Sequence, residues 1–247
     1  MTYCLGITTK DGFVVASDSR SNAGYDQVNV CRKMHVFATP GDRVLVALTS
    51  GSLSCSQSIV TLLRHDFDAG EGLATVGTMY EAARVVGEQV RRVAALDREA
   101  LERDEYKFNV NVILAGQIRG QPHDLYLIYP QGNPLRATED SPFLQIGECK
   151  YGRPILDRGV RFDRTTLDDA ARYALISLDS TMRSNVTVGP PIDLLVYASD
   201  ELRINRHRRF AERDPDLASI HHQWEQALRQ AVQALPPVRF DDEEPVS

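Results

Sequence analysis

Removal of Met1 would leave Thr2 at the chain terminus, with a hydroxyl and a free α-amine on one residue. The hydroxyl can serve as a nucleophile and the amine as its base, a pairing that needs no second side chain. An α-amine has an ordinary pKa of ~7.7–8.0 and keeps a useful neutral fraction near neutral pH, whereas a lysine amine near ~10.4 does not. Threonine is small enough at position 2 for methionine removal, although that position by itself is a weak signal. Three further residues bear on the same chemistry: Asp18, Lys33 and Gly51.

The elements that must bring these residues together are legible early in the chain. Tyr3–Thr9 reads as a strand, Lys10-Asp11-Gly12 as an Asp-Gly hairpin turn, and Gly12–Ser17 as the returning strand. A hairpin lays its second strand beside its first, so Asp18, in Ser17-Asp18-Ser19-Arg20, is expected near the Thr2 end. Lys33 falls in another strand-like stretch, Arg32–Phe37, and a further strand over Arg43–Ser50 runs into Ser50-Gly51-Ser52. Beyond Gly51, Cys55, Ile59, Leu62 and Leu63 recur at helical spacing. A longer helix is marked by Met79 through Ala94, a third by Leu167 through Leu178, and a last one by Leu217 through Ala231. Strands are expected over Phe108–Gly116, Asp124–Tyr129 and Ile192–Ala198. Two sheet groups, each followed by helices, predict a sheet-on-sheet core covered by helices on both faces. Strand order is not readable from this pattern.

Composition sets outer bounds. The chain has 247 residues, a hydrophobic fraction of 43% and a charged fraction of 25%, as expected of a soluble globular protein. A net charge of −6 argues against nucleic acid as a partner. No apolar run approaches the ~20 residues needed to cross a bilayer. The N-terminus lacks the charged and apolar regions of a signal peptide, so a cytoplasmic protein is expected. The cysteines, Cys4, Cys31, Cys55 and Cys149, form no C-x-x-C pair and read as reduced thiols, with Cys4 buried in its strand. No cofactor, metal or nucleotide site is expected; His221 and His222 are adjacent and so face different sides of a helix. Arg203, Arg206, His207, Arg208 and Arg209 form a basic cluster that reads as solvated surface or subunit contact. Residues 1–235 are expected to form one domain, and 236–247 an acidic tail beginning at Pro236-Pro237.

The order of N-terminal Thr, hairpin, Ser-Asp-Ser-Arg, a following Lys, then Ser-Gly-Ser before a helix resembles a proteasome β-subunit. Met1-Thr2-Tyr3-Cys4, Ser17 through Gly24 and Arg32-Lys33-Met34-His35 resemble the bacterial branch known as Anbu, the ancestral β-subunit. Ile146 through Gly152, and Arg183-Ser184-Asn185 running through Thr187 and Gly189 to Pro191-Ile192-Asp193, fit it too. The resemblance spans about residues 1–235. It implies the four-layer αββα sandwich of the N-terminal-nucleophile hydrolases, in the α+β class. It also implies a threonine-type peptidase acting on peptide or unfolded protein. Copies of the chain would assemble as a ring or an open spiral, with any unfolding ATPase a separate protein.

Carried onto this sequence, the resemblance makes Thr2 Oγ the nucleophile. Lys33 favours the alkoxide, and Asp18 holds Lys33 in place and charged. Gly51 offers its N–H to the oxyanion just before a helix. The sequence departs from the family where the amine is tuned. Ser184 stands where active β-subunits have Asp, Thr187 where they have Ser, and Gly147-Glu148-Cys149 where they have Gly-Ser-Gly. A serine cannot stabilise an ammonium as a carboxylate does; Glu148 is the candidate to compensate. Two alternatives therefore stand beside the peptidase: a catalytically idle scaffold subunit, and an N-terminal-nucleophile amidase acting on a small amide. Substrate preference is not readable, with Ala23, Ser52 and neighbours of Gly51 as candidate pocket walls.

Overall fold

The computed structural model describes residues 2–22 and 28–238. In chain order the strands and helices begin with β1 (Tyr3–Thr9), β2 (Gly12–Ser17), β3 (Arg20–Asn22), β4 (Val28–Val30), β5 (Met34–Thr39) and β6 (Arg43–Gly51). Helices α1 (Leu53–Asp68) and α2 (Met79–Arg103) follow, then β7 (Val110–Ile118), β8 (Asp124–Ile128), β9 (Pro134–Arg136) and β10 (Phe143–Gly147). The remainder is α3 (Arg153–Gly159), α4 (Leu167–Ser184), β11 (Ile192–Ala198), β12 (Arg206–Phe210) and α5 (Pro215–Gln233).

Two five-stranded antiparallel sheets form the centre. One runs β10-β1-β2-β11-β12, the other β5-β6-β7-β8-β9, and β3 and β4 form a separate small ribbon. The period-2 geometry of a strand sends alternate residues of β1 into different cores. Tyr3, Leu5 and Ile7 pack with Leu156, Ala174 and Leu178 of the helices. Cys4 joins Phe13, Val15, Val46, Leu48 and Ile113 in the layer between the sheets. That is why every residue of β1 and β2 is buried. The outer face of the second sheet packs on α1 and α2 through Leu45, Val112, Ile59, Val86 and Val90. The layers are thus helix, sheet, sheet, helix: the four-layer αββα sandwich of the α+β class.

Helices α2, α4 and α5 start where a side chain satisfies a free N–H group. Thr78 and Glu81 form a reciprocal capping box at α2, and the Thr166 side chain accepts from Asp169 N at α4. Among the described residues no helix is long and apolar enough to cross a membrane.

The hairpin β1–β2 has the bounds read from sequence, and Cys4 is fully buried. Lys33 differs: it lies one residue before β5 rather than on a strand. Arg206 to Arg209 of the basic cluster lie on β12, with Arg203 before it, and acids meet Arg206 (Asp168), Arg208 (Asp214 and Asp216) and Arg209 (Asp193). Helix α5 exists, but none of its residues is buried; only Leu217 and Ile220 pack partly against the helix-facing core. Of the other expectations, Met1, Ala23 and the acidic residues from Asp241 onward lie outside the described residues.

Candidate active site

Thr2 is fixed by the strands on either side of β1. Its carbonyl accepts the Glu148 N–H at 2.8 Å, one residue beyond the Tyr3–Gly147 register pair that joins β1 to β10. Gly147 adopts φ +85°, and a Cβ there would lie 1.9 Å from the Thr2 carbonyl oxygen. Only glycine allows this approach. On the other side, Asp18 follows the last residue of β2 and exchanges two bonds with Tyr3. Its N–H donates to Tyr3 O at 3.1 Å, and its Oδ1 accepts the Tyr3 N–H at 3.0 Å.

Asp18 is fully buried and Lys33 nearly so, at 0% and 5% exposure. The Lys33 Nζ donates to Asp18 Oδ1 at 2.6 Å and to the Arg20 carbonyl at 2.6 Å. Asp18 Oδ2 accepts the N–H groups of Arg20 and Gly189, each at 3.2 Å. Burial raises the Asp18 carboxyl above the ordinary carboxylate value, opposed by Lys33 and by the Tyr3 and Gly189 N–H groups. The pair is therefore a buried charge cluster beside Thr2, whose desolvation its own hydrogen bonds offset.

A cleft of about 470 Å³ opens at Thr2, lined also by Gly51, Gly147 and Glu148. Its remaining walls are polar, Ser21, Ser50, Asn109 and Asn111, with Leu53 as the large apolar contribution. Ser52, a candidate wall, is not among the lining residues; it is the cap residue of α1. Gly51 closes β6 with φ +103°, and a Cβ would sit 1.9 Å from Asn109 O. The next N–H, of Ser52, is taken by that same carbonyl at 2.8 Å.

The candidates for tuning the amine separate. Glu148 lines the cleft, and its Oε2 accepts the Asn185 Nδ2 donor at 2.7 Å. Thr187 donates to Asn185 Oδ1 through its N–H at 3.0 Å and its Oγ1 at 2.6 Å. Ser184 is exposed at the last position of α4, outside the cleft lining. Asn185, which the sequence reading passed over, is the residue that joins Glu148 to Thr187. Its signal in the sequence was an Asn directly after an amphipathic helix with Thr two residues on, a side-chain-to-backbone turn pattern. Among the described residues no group of three or more His, Cys, Asp or Glu is arranged to hold a metal ion. The structure brings Thr2, Gly51 and Glu148 into one cleft and ties the backbone after Thr2 to the buried Asp18–Lys33 pair, whose two residues are not among the cleft-lining ones.

Comparison with known proteins gives a consistent result. The proteasome subunit family model matches residues 2–197. Anbu (ancestral beta-subunit) from Yersinia bercovieri has a solved structure with 42% identity and a TM-score of 0.91, covering 98% of this chain and 100% of that one. The helical assembly of the Anbu complex from Pseudomonas aeruginosa gives 45% identity and a TM-score of 0.91, covering 96% of this chain and 98% of that one. Among curated proteins, the proteasome subunit beta of Haloferax volcanii is 25% identical over 213 residues, 85% of this chain and 78% of the relative.

Proposed function

Because the chain belongs to the proteasome subunit family, in its Anbu branch, we propose that it is a threonine-type peptidase whose nucleophile is Thr2 after removal of Met1. Thr2 Oγ attacks the peptide carbonyl as its proton passes to the α-amine, directly or through a water. The Nζ of Lys33, held by Asp18 and the Arg20 carbonyl, favours the alkoxide over the alcohol. The Gly51 N–H meets the developing oxyanion. Collapse of the tetrahedral intermediate breaks the C–N bond, and the leaving amine takes the proton from the Thr2 ammonium. Water, deprotonated by the same amine, then cleaves the acyl ester and restores the hydroxyl.

One observation carries this reading. The carboxylate that holds Lys33 also holds the backbone N–H immediately after Thr2, so cation and nucleophile are fixed by the same group. Copies of the chain assemble into a ring or open spiral that restricts the site to unfolded or short peptides. The relative from Pseudomonas aeruginosa is described as a helical assembly; particle images by electron microscopy distinguish the two forms. The assembled protein is expected to lack Met1 by intact mass and to cleave an unfolded polypeptide. Thr2→Ala and Lys33→Ala are expected to abolish cleavage. A chain that keeps Met1, or cleavage that survives Thr2→Ala, contradicts the reading.

A second reading, a proteasome-like scaffold with an idle pocket, draws on the position of Ser184. It is exposed outside the cleft, so the position that carries an acid in active β-subunits contributes nothing to the amine here.

A further inference from the structure

The Thr2 amine needs an anionic neighbour, and a count of acceptors shows that Asp18 is already committed. A carboxylate offers about four lone-pair sites. Asp18 Oδ1 takes the Tyr3 N–H and Lys33, and Oδ2 takes the Arg20 and Gly189 N–H groups. The carboxylate among the cleft-lining residues is Glu148, whose own N–H donates to Thr2 O at 2.8 Å. Its Oε2 is held by Asn185, while Oε1 faces Lys150 at 3.6 Å. Lys150 is 68% exposed, a geometry in which an ion pair constrains little.

Asn185 is itself fixed from several sides. Its N–H donates to Thr181 O at 2.9 Å, and its carbonyl accepts the Val188 N–H at 3.1 Å. The side-chain orientation is set by chemistry. The Thr187 N–H is an obligatory donor, so the amide oxygen must face it and the NH2 must face Glu148. An aspartate here would place a second carboxylate against Glu148; a neutral amide is required. The same loop reaches Asp18 through the Gly189 N–H, so one turn after α4 steadies both carboxylates of the site.

We propose that Asn185 is a positioning residue for the Thr2 amine: it holds the Glu148 carboxylate in the cleft that Thr2 also lines, and so supplies the anionic neighbour that position 184, outside the cleft, does not. The inference rests on Thr2 being the working terminus. The charged and titratable groups around that terminus include Tyr3 and Cys4 of β1, Asp18 and Lys33 from the approaches to β3 and β5, Glu148, Cys149 and Lys150 from the loop after β10, and Asp193 of β11. Arg20 is turned onto the loop after α4, donating to the Val186 carbonyl at 2.7 Å.

The test measures the amine and does not depend on turnover. The chain is prepared with Thr2 first by cleaving a removable N-terminal fusion. The rate of α-amine acetylation is then followed against pH by mass spectrometry of the N-terminal peptide. An anion nearby favours the ammonium, so Asn185→Ala and Glu148→Gln should each lower the titration midpoint by about one unit. The double variant should match Glu148→Gln alone, because Asn185 acts through Glu148. A wild-type midpoint in Asn185→Ala, even with a reduced Tm, reduces the residue to a helix cap and overturns the proposal. Additive shifts in the double variant overturn it as well. Should Asn185→Ala fail to fold, Glu148→Gln decides alone, since an unshifted midpoint there removes the premise. Shifted midpoints in a protein that cleaves no peptide would instead leave this placement standing and count against the peptidase.

Discussion

Replacing Lys33 by Met tests how strongly the site is built into the fold. Methionine keeps the length and apolar stem of the lysine, so the packing change is small. What disappears is the charged donor 2.6 Å from Asp18, in a pair only 6% and 0% exposed. Removing one partner of a buried ion pair costs about 3–5 kcal/mol, because the other charge is left uncompensated. Asp18 keeps three backbone N–H donors, from Tyr3, Arg20 and Gly189, which places the loss near the lower end. The Arg20 carbonyl also loses its Nζ donor, at a cost of about 1 kcal/mol. A destabilisation of about 3–4 kcal/mol is therefore expected at about pH 8.

The pH dependence has a fixed sign. Burial raises the Asp18 carboxyl, and Lys33 is the largest influence pulling it back down. Without Lys33 the folded-state value rises further, so the folded variant takes up a proton on acidification more readily than the unfolded chain does. The deficit relative to wild type should shrink as pH falls toward about 5, since a neutral carboxyl needs no counter-charge. Urea unfolding followed by circular dichroism at both pH values gives the numbers, repeated across protein concentrations because assembly contributes to stability. A loss below about 1 kcal/mol, or one that grows on acidification, would refute the idea that the pair is a buried, mutually dependent unit.

Other substitutions probe neighbouring parts of the site. Gly147→Ala puts a Cβ 1.9 Å from the Thr2 carbonyl at a φ of +85°, so β10 must move off Thr2. A displacement of that order should reduce kcat by about 100-fold, while circular dichroism reports an intact fold; unchanged kcat would show that the Thr2 backbone needs no such support. His35 is held down to about 4 by burial, then by Arg64 and Arg32. The unfolded chain therefore binds a proton that the folded one refuses, and stability is lost as pH falls from about 6.5 toward 4, by at most about 3 kcal/mol. His35→Gln should flatten that part of the acid-unfolding curve; an unchanged slope would show that His35 is freely solvated when folded.

The parts of the fold that were legible in the sequence are those with a local cause. The β1–β2 hairpin has an Asp-Gly turn between two apolar runs, and α1, α2 and α4 repeat apolar residues at helical spacing. The short strands β3, β4, β9, β10 and β12 are not legible as strands, because three to five residues are too few to establish a hydrophobic alternation. Lys33 was placed on a strand because Met34–Phe37 continues directly from it; in the structure it stands outside β5 and so can turn to Asp18. Strand order was beyond local reasoning, since β1 pairs with β10 and β2 with β11 across most of the chain. The same distance hid Asn185, whose partner Glu148 lies 37 residues earlier. Thr2, Asp18, Lys33 and Gly51 can be singled out together from sequence because a hairpin and two strand ends carry them. The Glu148–Asn185 pair depends on loops that only the assembled sheets bring together.

The most direct measurement is the mass of the N-terminal peptide after the assembled protein has been incubated with a peptide epoxyketone, a reagent that closes a ring with a hydroxyl and an adjacent free amine. The account predicts a peptide starting at Thr2 and carrying the full reagent mass, absent from Thr2→Ala. A peptide still starting at Met1, or an unmodified Thr2 at the end of a correctly processed and assembled chain, would contradict it.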